Sequence, residues 1–373
     1  MRLFVSIILT VVTLGAQGVP SLKVGYVGHD HQSALYVACL EWERTKEDCG
    51  TYLKEVTAEK HYELIKDGKK IADVELLLSG GGSKMPTLMA QGHFEVGFGG
   101  VAAVAFFTDK GSPMKIISPL HTKGDMLVLQ PDNPVNSWEE FVARVKKEKK
   151  PIRIGFKNPV AVAKLIFERA LESEGLTYTS DKSDQTKDVL MILLKGEKNL
   201  VPGLQNRIID GYVSNNPWCA IAESKGVGKI VADLNELPPG IWKDHPCCCI
   251  GATDEAMKNK KAIIKEFLKL IILATQYANA DPKMHAKDAS KWIGTSLEVE
   301  KKSLPTSGFT TNPDEEWKKT MQVWIDEMDR LGKLKGKLKG KKGEEVEKIL
   351  YDFSALHLAA QELKAKGLLK VWY

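Results

Sequence analysis

The chain has 373 residues, 43% hydrophobic and 27% charged, which is enough for a large core and too much for one ordinary domain. That balance excludes a disordered or fibrous protein. The formal net charge of +5 is mild; it leans toward anionic ligands and, with no arginine-rich aromatic platform, argues against nucleic acid as a partner.

In chain order, Arg2 precedes an apolar stretch from Leu3 to Leu14 and then small residues through Gly18. We read 1–18 as a cleaved signal peptide, because the stretch is shorter than the about 20 residues that span a bilayer. No cysteine follows it, so a lipid anchor is not expected, and the protein is placed in the periplasm or outside the cell. Leu22 to Val27 reads as a strand, His29 to Gln32 as a turn, and Ser33 to Glu47 as a helix. Val74 to Leu78 is a strand that stops at Gly80-Gly81-Gly82, followed by a short helix from near Ser83 to Gly92. Phe94 to Phe98 is a strand that stops at Gly99-Gly100, followed by another helix; Lys115 to Ser118 closes this first series. The second series runs through strands Met126 to Gln130, Ile152 to Phe156, Ile208 to Val213 and Lys229 to Ala232. Its helices are Trp138 to Val145 (capped by Ser137), Val160 to Glu174 and Trp218 to Lys225. From Thr253 the pattern is helical: Asp254 to Lys258, Lys261 to Ala278, Ala286 to Ile293, and a helix opened by Asn312 and Pro313. The Lys/Gly/Leu run from Gly332 to Gly343 reads as a solvated turn rather than a basic contact surface.

Strands alternating with helices predict parallel sheets with right-handed crossovers. The expected architecture is therefore α/β with two lobes: 19–120 in the first, 121–250 in the second, and 251–373 returning to the first and ending in a helical extension. The chain would cross between lobes near 119–123 and near 247–253, leaving a ligand cleft between them.

Asn158-Pro159 and Asn216-Pro217 each follow a strand and open a helix, Asn suiting the cap and Pro the first helical position. Similar starts stand near Gln32, Ser83 and Gly100 in the first lobe. Helix N-termini gathered round one cleft favour an anionic or strongly polar ligand, by about 0.3–1 kcal/mol each when exposed.

Several segments together resemble a known family. They are Ala34-Leu35-Tyr36-Val37-Ala38 after a polar turn, the Gly-rich Leu78 to Met85, Gly97-Phe98-Gly99-Gly100, and Lys110-Gly111-Ser112-Pro113-Met114-Lys115-Ile116-Ile117. They fall in the order seen in the substrate-binding proteins of ABC importers for nitrate, sulfonates, taurine and thiamin-pyrimidine precursors. Eukaryotic thiamin-pyrimidine synthases share that fold. Ile209-Asp210-Gly211-Tyr212 and Gly226-Val227-Gly228 fit its second lobe, so the resemblance covers roughly 22–275. It implies a periplasmic-binding-protein-like fold of type II and ligand contacts from His29, His31, Gln32, Gly82, Ser83, Gly100, Val101, Asn158, Val160, Asn216 and Trp218. Glu95 stands where the family usually has aspartate, and Asn216 where an acidic residue is common.

His29, His31 and His121 near the expected hinge read as polar cleft lining, with metal binding as the alternative. Export makes disulfides possible, and Cys39 with Cys49 is the simplest pair. In an extended strand Cys247 and Cys249 would face one way and Cys248 the other. We read the three as a buried strand, or as a disulfide with Cys219; their resemblance to the synthases' cysteine-rich segment implies iron as the alternative. No GxSxG and no GxxxxGK[ST] spacing supports catalysis or phosphate-loop chemistry. The expectation is a monomeric, non-enzymatic receptor without a cofactor. It would capture a small polar or anionic solute by lobe closure and deliver it to the membrane permease of an ABC importer. A metal-dependent protein using Cys247–Cys249 and the histidines is the rival.

Overall fold

The computed structural model describes residues 18–82 and 84–369, so 1–17 of the expected signal peptide, and the expected contact Ser83, lie outside the described residues. The strands of the first half are β1 (Ser21–Tyr26), β2 (Thr51–Thr57), β3 (His61–Lys66), β4 (Lys69–Leu78), β5 (Val96–Gly100) and β6 (Met114–Lys123). Next come β7 (Asp125–Leu129), β8 (Ile152–Phe156), β9 (Tyr178–Thr179), β10 (Val189–Leu193), β11 (Gly211–Asn215) and β12 (Lys229–Asp233). β13 (Pro246–Thr253) and β14 (Ser307–Phe309) follow. They assemble into an eight-stranded sheet, β14-β6-β13-β5-β1-β4-β3-β2, and a six-stranded sheet, β12-β7-β11-β8-β10-β9.

The sheets are mixed rather than parallel. β1 lies parallel between β4 and β5, whereas β13 runs antiparallel to both β5 and β6, and β7 antiparallel to β11 and β12. β2, β3 and β4 form an antiparallel meander, and its first two strands fall in a segment where apolar periodicity gives no strand signal. Its outer face is solvated, so β2 alternates only over its first residues, Thr51, Tyr52 and Leu53, before four exposed positions. The expected helix from Ser33 is two helices, Ser33–Leu40 and Trp42–Cys49, the second ending on a left-handed Gly50. Cys39 and Cys49 are both buried and free, as are the other four cysteines, so the expected disulfide is not formed. Burial instead gives each thiol a place among apolar neighbours, and Cys49 donates to the carbonyls of Thr45 and Thr51.

The chain leaves the first sheet at Gly124 and returns between Asp233 and Pro246; the stretch Pro246–Ile250, expected in the second lobe, belongs to the first sheet. Gly124 adopts φ +85°, and a Cβ there would lie 2.5 Å from His31 Nε2, so only glycine fits this crossing. The C-terminal helices wrap the first lobe. One of them also reaches across, where Asn216 Nδ2 donates to Thr306 Oγ1 at 3.0 Å. The run at 332–343 is not a solvated turn throughout: Leu334 and Leu338 are buried, and the carboxylate of Asp109 accepts from the N–H groups of Lys335, Gly336 and Leu338. No helix among the described residues is long and apolar enough to cross a membrane.

Behind the first sheet, helix Lys261–Ala280 carries a charged knot that ties three elements together. Glu266 accepts from Lys66 (2.6 Å) on β3, from Lys269 (2.8 Å) and from Thr51 on β2, while Lys269 also reaches Glu362 of helix Ser354–Ala365 (2.5 Å). Burial pushes the Glu266 carboxyl up, but the ammonium groups of Lys269, Lys66 and Lys265 outweigh it and hold it at about 2, below the ordinary 4.5. A depressed carboxyl stabilises the fold fully above its unfolded pKa and loses that contribution as the proton returns. Stability is therefore expected to fall as pH drops from about 4.5 toward 2. In Glu266→Gln this stretch of the pH profile should flatten, at a cost near pH 7 of about 3 kcal/mol, because Lys269 loses a buried partner; urea unfolding across this pH range checks both.

Candidate ligand-binding site

The carboxyl ends of β1, β5, β8 and β11 converge with the start of β13 on the gap between the two sheets, the usual place for a ligand in an open α/β sheet. A small cavity of about 30 Å³ lies there, room for one or two water-sized groups. The first lobe lines it with His29, His31, Gly82, Gly100, Cys247 and Cys248; the second with Asp125, Lys157, Asn158, Val160 and Asn215, among others. A wider vestibule of about 320 Å³ shares Lys157 and Asn158 and carries Lys84 and Lys195 at its rim. A further cavity, about 610 Å³, lies at the opposite edge of the second sheet. Its charged groups are already matched there, Arg153 with Asp210 and Arg207 with Asp132, so we discount it as a site.

Close backbone approach shapes the first-lobe wall. A Cβ on Gly99 would sit 2.8 Å from the carbonyl oxygen of Gly82, which is how the glycine loop lies flat on β5. Gly100 then caps helix Val101–Asp109. On the other wall, Asn158 Oδ1 accepts from Val160 N–H at 3.1 Å, and the helix starts two residues later, at Val162. Asn216 is not among the lining residues; its Oδ1 accepts from Ala220 N–H in the first turn of helix Trp218–Ser224. Gln32 bridges Val27 N–H and the Phe98 carbonyl, a structural tie between β1 and β5. Val101 is core, and Trp218 donates its indole N–H to Glu197 at 3.0 Å, one step behind the cavity wall.

The histidines and two cysteines form the chemical centre. His31, His121, Cys247 and Cys248 are all buried, and their donor atoms lie within 4.8 Å of one another. The His31 and His121 rings are 3.8 Å apart, and Cys247 Sγ is 3.7 Å from His31 Nδ1. Among the described residues, His31 Nε2 and both ring nitrogens of His121 have no hydrogen-bond partner. Burial, then the neighbouring imidazoles, pushes the pKa of His31 and of His121 far down, and burial pulls His29 to about 4. All three rings are thus neutral at physiological pH, with lone pairs available. Burial likewise holds Cys247 as the thiol.

Adjacent cysteines reach one chamber because the ladder is irregular. The β13–β6 register shifts between Pro246 and Cys248 and again between Cys248 and Cys249, with Cys248 opposite His121. Such bulges suspend the strict alternation of faces on which the expected pairing of Cys247 with Cys249 depended. Cys249 is buried in the core instead.

Across the chamber Lys157 and Glu197 neutralise one another. Lys157 Nζ donates to Glu197 Oε1 at 2.5 Å and also to Asn215 Oδ1. Burial works against both charges, yet their mutual attraction keeps Lys157 above and Glu197 below its ordinary pKa. Asp125 faces His245 at 3.3 Å. Lys157, Asn215 and Asp125 were not expected at the site. Lys157 and Asn215 directly precede the two Asn-Pro pairs, so strand ends could have revealed them, whereas Asp125 gives no such signal.

Residues 16–294 match the NMT1-like family. An uncharacterised protein of Methanocaldococcus jannaschii is 40% identical over 113 residues, 30% of this chain and 78% of that protein. Among solved structures, a zinc-bound ligand-binding component of an ABC-type import system from Staphylococcus aureus superposes with a TM-score of 0.68 at 14% identity, covering 92% of this chain and 99% of that one. The periplasmic nitrate-binding protein NrtA from Synechocystis PCC 6803 gives 0.67 at 16% identity, covering 93% and 90%. The alkanesulfonate-binding protein SsuA from Xanthomonas axonopodis pv. citri, bound to MOPS, gives 0.63 at 14% identity, covering 86% and 96%. The fold is that of the periplasmic binding proteins.

Replacing Gly99 by Ala forces the Gly82 carbonyl off β5. The expected loss is about 1–3 kcal/mol, the usual range for overpacking, seen as a lowered Tm; an unchanged Tm would mean that the glycine loop does not rest on the strand.

Proposed function

The chain belongs to the NMT1-like family, and from that premise we propose that it is an exported receptor that captures a compact solute between its lobes and hands it to the permease of an ABC importer. One observation carries the reading: a chamber lined from both sheets holds buried imidazole nitrogens that have no partner among the described residues. Buried polar atoms left unpaired cost about 1–3 kcal/mol each. A chamber that keeps several of them is built to be completed by something that enters it.

The fold supports the mode of action. Two chain crossings, at Gly124 and within 234–245, join the lobes, and Asn216–Thr306, Arg330–Glu172 and Arg169–Glu327 bridge the second lobe to the C-terminal helices. Hinge opening about these segments would expose the chamber, and closure would seal it. Neighbours named as nitrate- and alkanesulfonate-binding proteins favour a receptor over an enzyme.

For the ligand, the chamber argues against the organic anions that the sequence favours. Its volume of about 30 Å³ is below that of taurine-sized solutes. Its buried cation, Lys157, is already paired with Glu197. The solute is therefore ion-sized, or leaves its bulk in the vestibule.

A thermal-shift screen tests the reading. At about 100 times Kd a true ligand adds about 2.7 kcal/mol. At least one of nitrate, taurine, an alkanesulfonate or a transition-metal ion should raise the Tm, and scattering should show a more compact particle with that ligand. A flat response to all of them sinks the receptor reading.

A further inference from the structure

We infer that His31, His121, Cys247 and Cys248 form a site for a borderline-soft transition-metal ion, best matched by zinc, so that the ion itself is the solute captured. The inference rests on the receptor reading and names its ligand.

The donor set points there first. Two imidazoles and two thiols suit a tetrahedral zinc site, while hard cations such as magnesium and calcium require oxygen-rich cages. A tetrahedral zinc with bonds of about 2.0–2.3 Å holds its ligand atoms roughly 3.3–3.8 Å apart. Here the four donors already lie within 4.8 Å of one another, and the Cys247 Sγ to His31 Nδ1 separation is 3.7 Å. Side-chain adjustments of about 1 Å would complete the geometry.

The charge balance agrees. When two thiols bind a divalent ion they lose their protons, and the two thiolates cancel its charge. Their protons leave to solvent. No further counter-ion is needed, which matches a chamber where Lys157 is already neutralised by Glu197.

A second, independent feature lies behind the ligands. If Nδ1 of His31 faces the ion, Nε2–H points away from it. Asp30 Oδ1 lies 4.0 Å from that Nε2, and both atoms are buried without a partner among the described residues. At 4.0 Å the two atoms are not hydrogen-bonded, but a shift of about 1 Å would make Asp30 the partner that fixes the tautomer of a ligating histidine. The other carboxylate oxygen of Asp30 is held by Ser303 Oγ of the C-terminal helices. Asp30 is thus a positioning residue, not a ligand. All four ligands come from the first lobe, at the ends of β1, β6 and β13, and the second lobe supplies the cover. Binding would therefore not require closure, and closure would exclude water from the loaded site.

The full chain, stripped of metal and kept reduced, is titrated with zinc against a chromophoric chelator, and separately loaded with cobalt(II). The expected result is one zinc per chain with proton release, and cobalt spectra with a thiolate-to-metal charge-transfer band and tetrahedral d–d bands. Cys247→Ser and Cys248→Ser should each weaken zinc by more than roughly a hundred-fold, and Asp30→Asn by roughly 10–100-fold. Cys249→Ser, equally buried on the same strand, should leave affinity unchanged. Zinc bound with undiminished affinity in Cys247→Ser and Cys248→Ser, or a cobalt spectrum without thiolate bands in the unaltered chain, would overturn the assignment. Stabilisation by an organic anion with no zinc binding would overturn the metal but leave the receptor standing; stabilisation by neither would end both.

Discussion

The pairing of β6 with β13 governs the chemistry of this molecule. These strands are far apart in sequence, and between them runs the entire second sheet. They meet as antiparallel neighbours in the first sheet, with His121 opposite Cys248. The irregular register at Cys248 turns two consecutive thiols toward the chamber instead of sending one to each side. The strand is held at its start by the C-terminal helices, where Trp324 donates to the Pro246 carbonyl at 2.8 Å and stacks near Trp242. The helical extension thus anchors the strand that carries the cysteines.

Around that pair, local rules and long-range placement divide the work. Gly82, Gly99 and Gly124 give backbone room: the first two let the loop after β4 lie on β5, and the third lets the chain turn past His31. Lys157 and Glu197 cancel one another beside the chamber, which is otherwise lined by Asp125, neutral imidazoles and thiols. The desolvation that keeps the histidines neutral also makes the chamber costly to leave unfilled.

The strands and helices of the two α/β series were largely legible because burial on both faces writes continuous apolar runs; Ile152–Phe156 and the Ser137-capped helix Trp138–Val145 match their expected limits. The β2–β3–β4 meander was not, since its solvated face dilutes the apolar signal. Among the expected contacts, His29, His31, Gly82, Gly100, Asn158 and Val160 line the chamber and His121 joins the cluster, while Gln32, Val101, Asn216 and Trp218 serve the frame around it. The helix-start argument pointed to the sheet edges where the chamber lies. Asn216 instead spends its side chain on Ala220 N–H and Thr306, holding the frame around the chamber.

By itself the sequence determined the α/β class, the position of the glycine turns and the residue types available for chemistry, because apolar period, turn residues and composition are local properties. It left the histidines as cleft lining and the cysteine run as core. Only the tertiary structure decided that His31, His121, Cys247 and Cys248 share one chamber and that Cys39 and Cys49 stay apart. Strand order, register and bulges are set by packing between segments hundreds of residues apart, and no window along the chain contains that information.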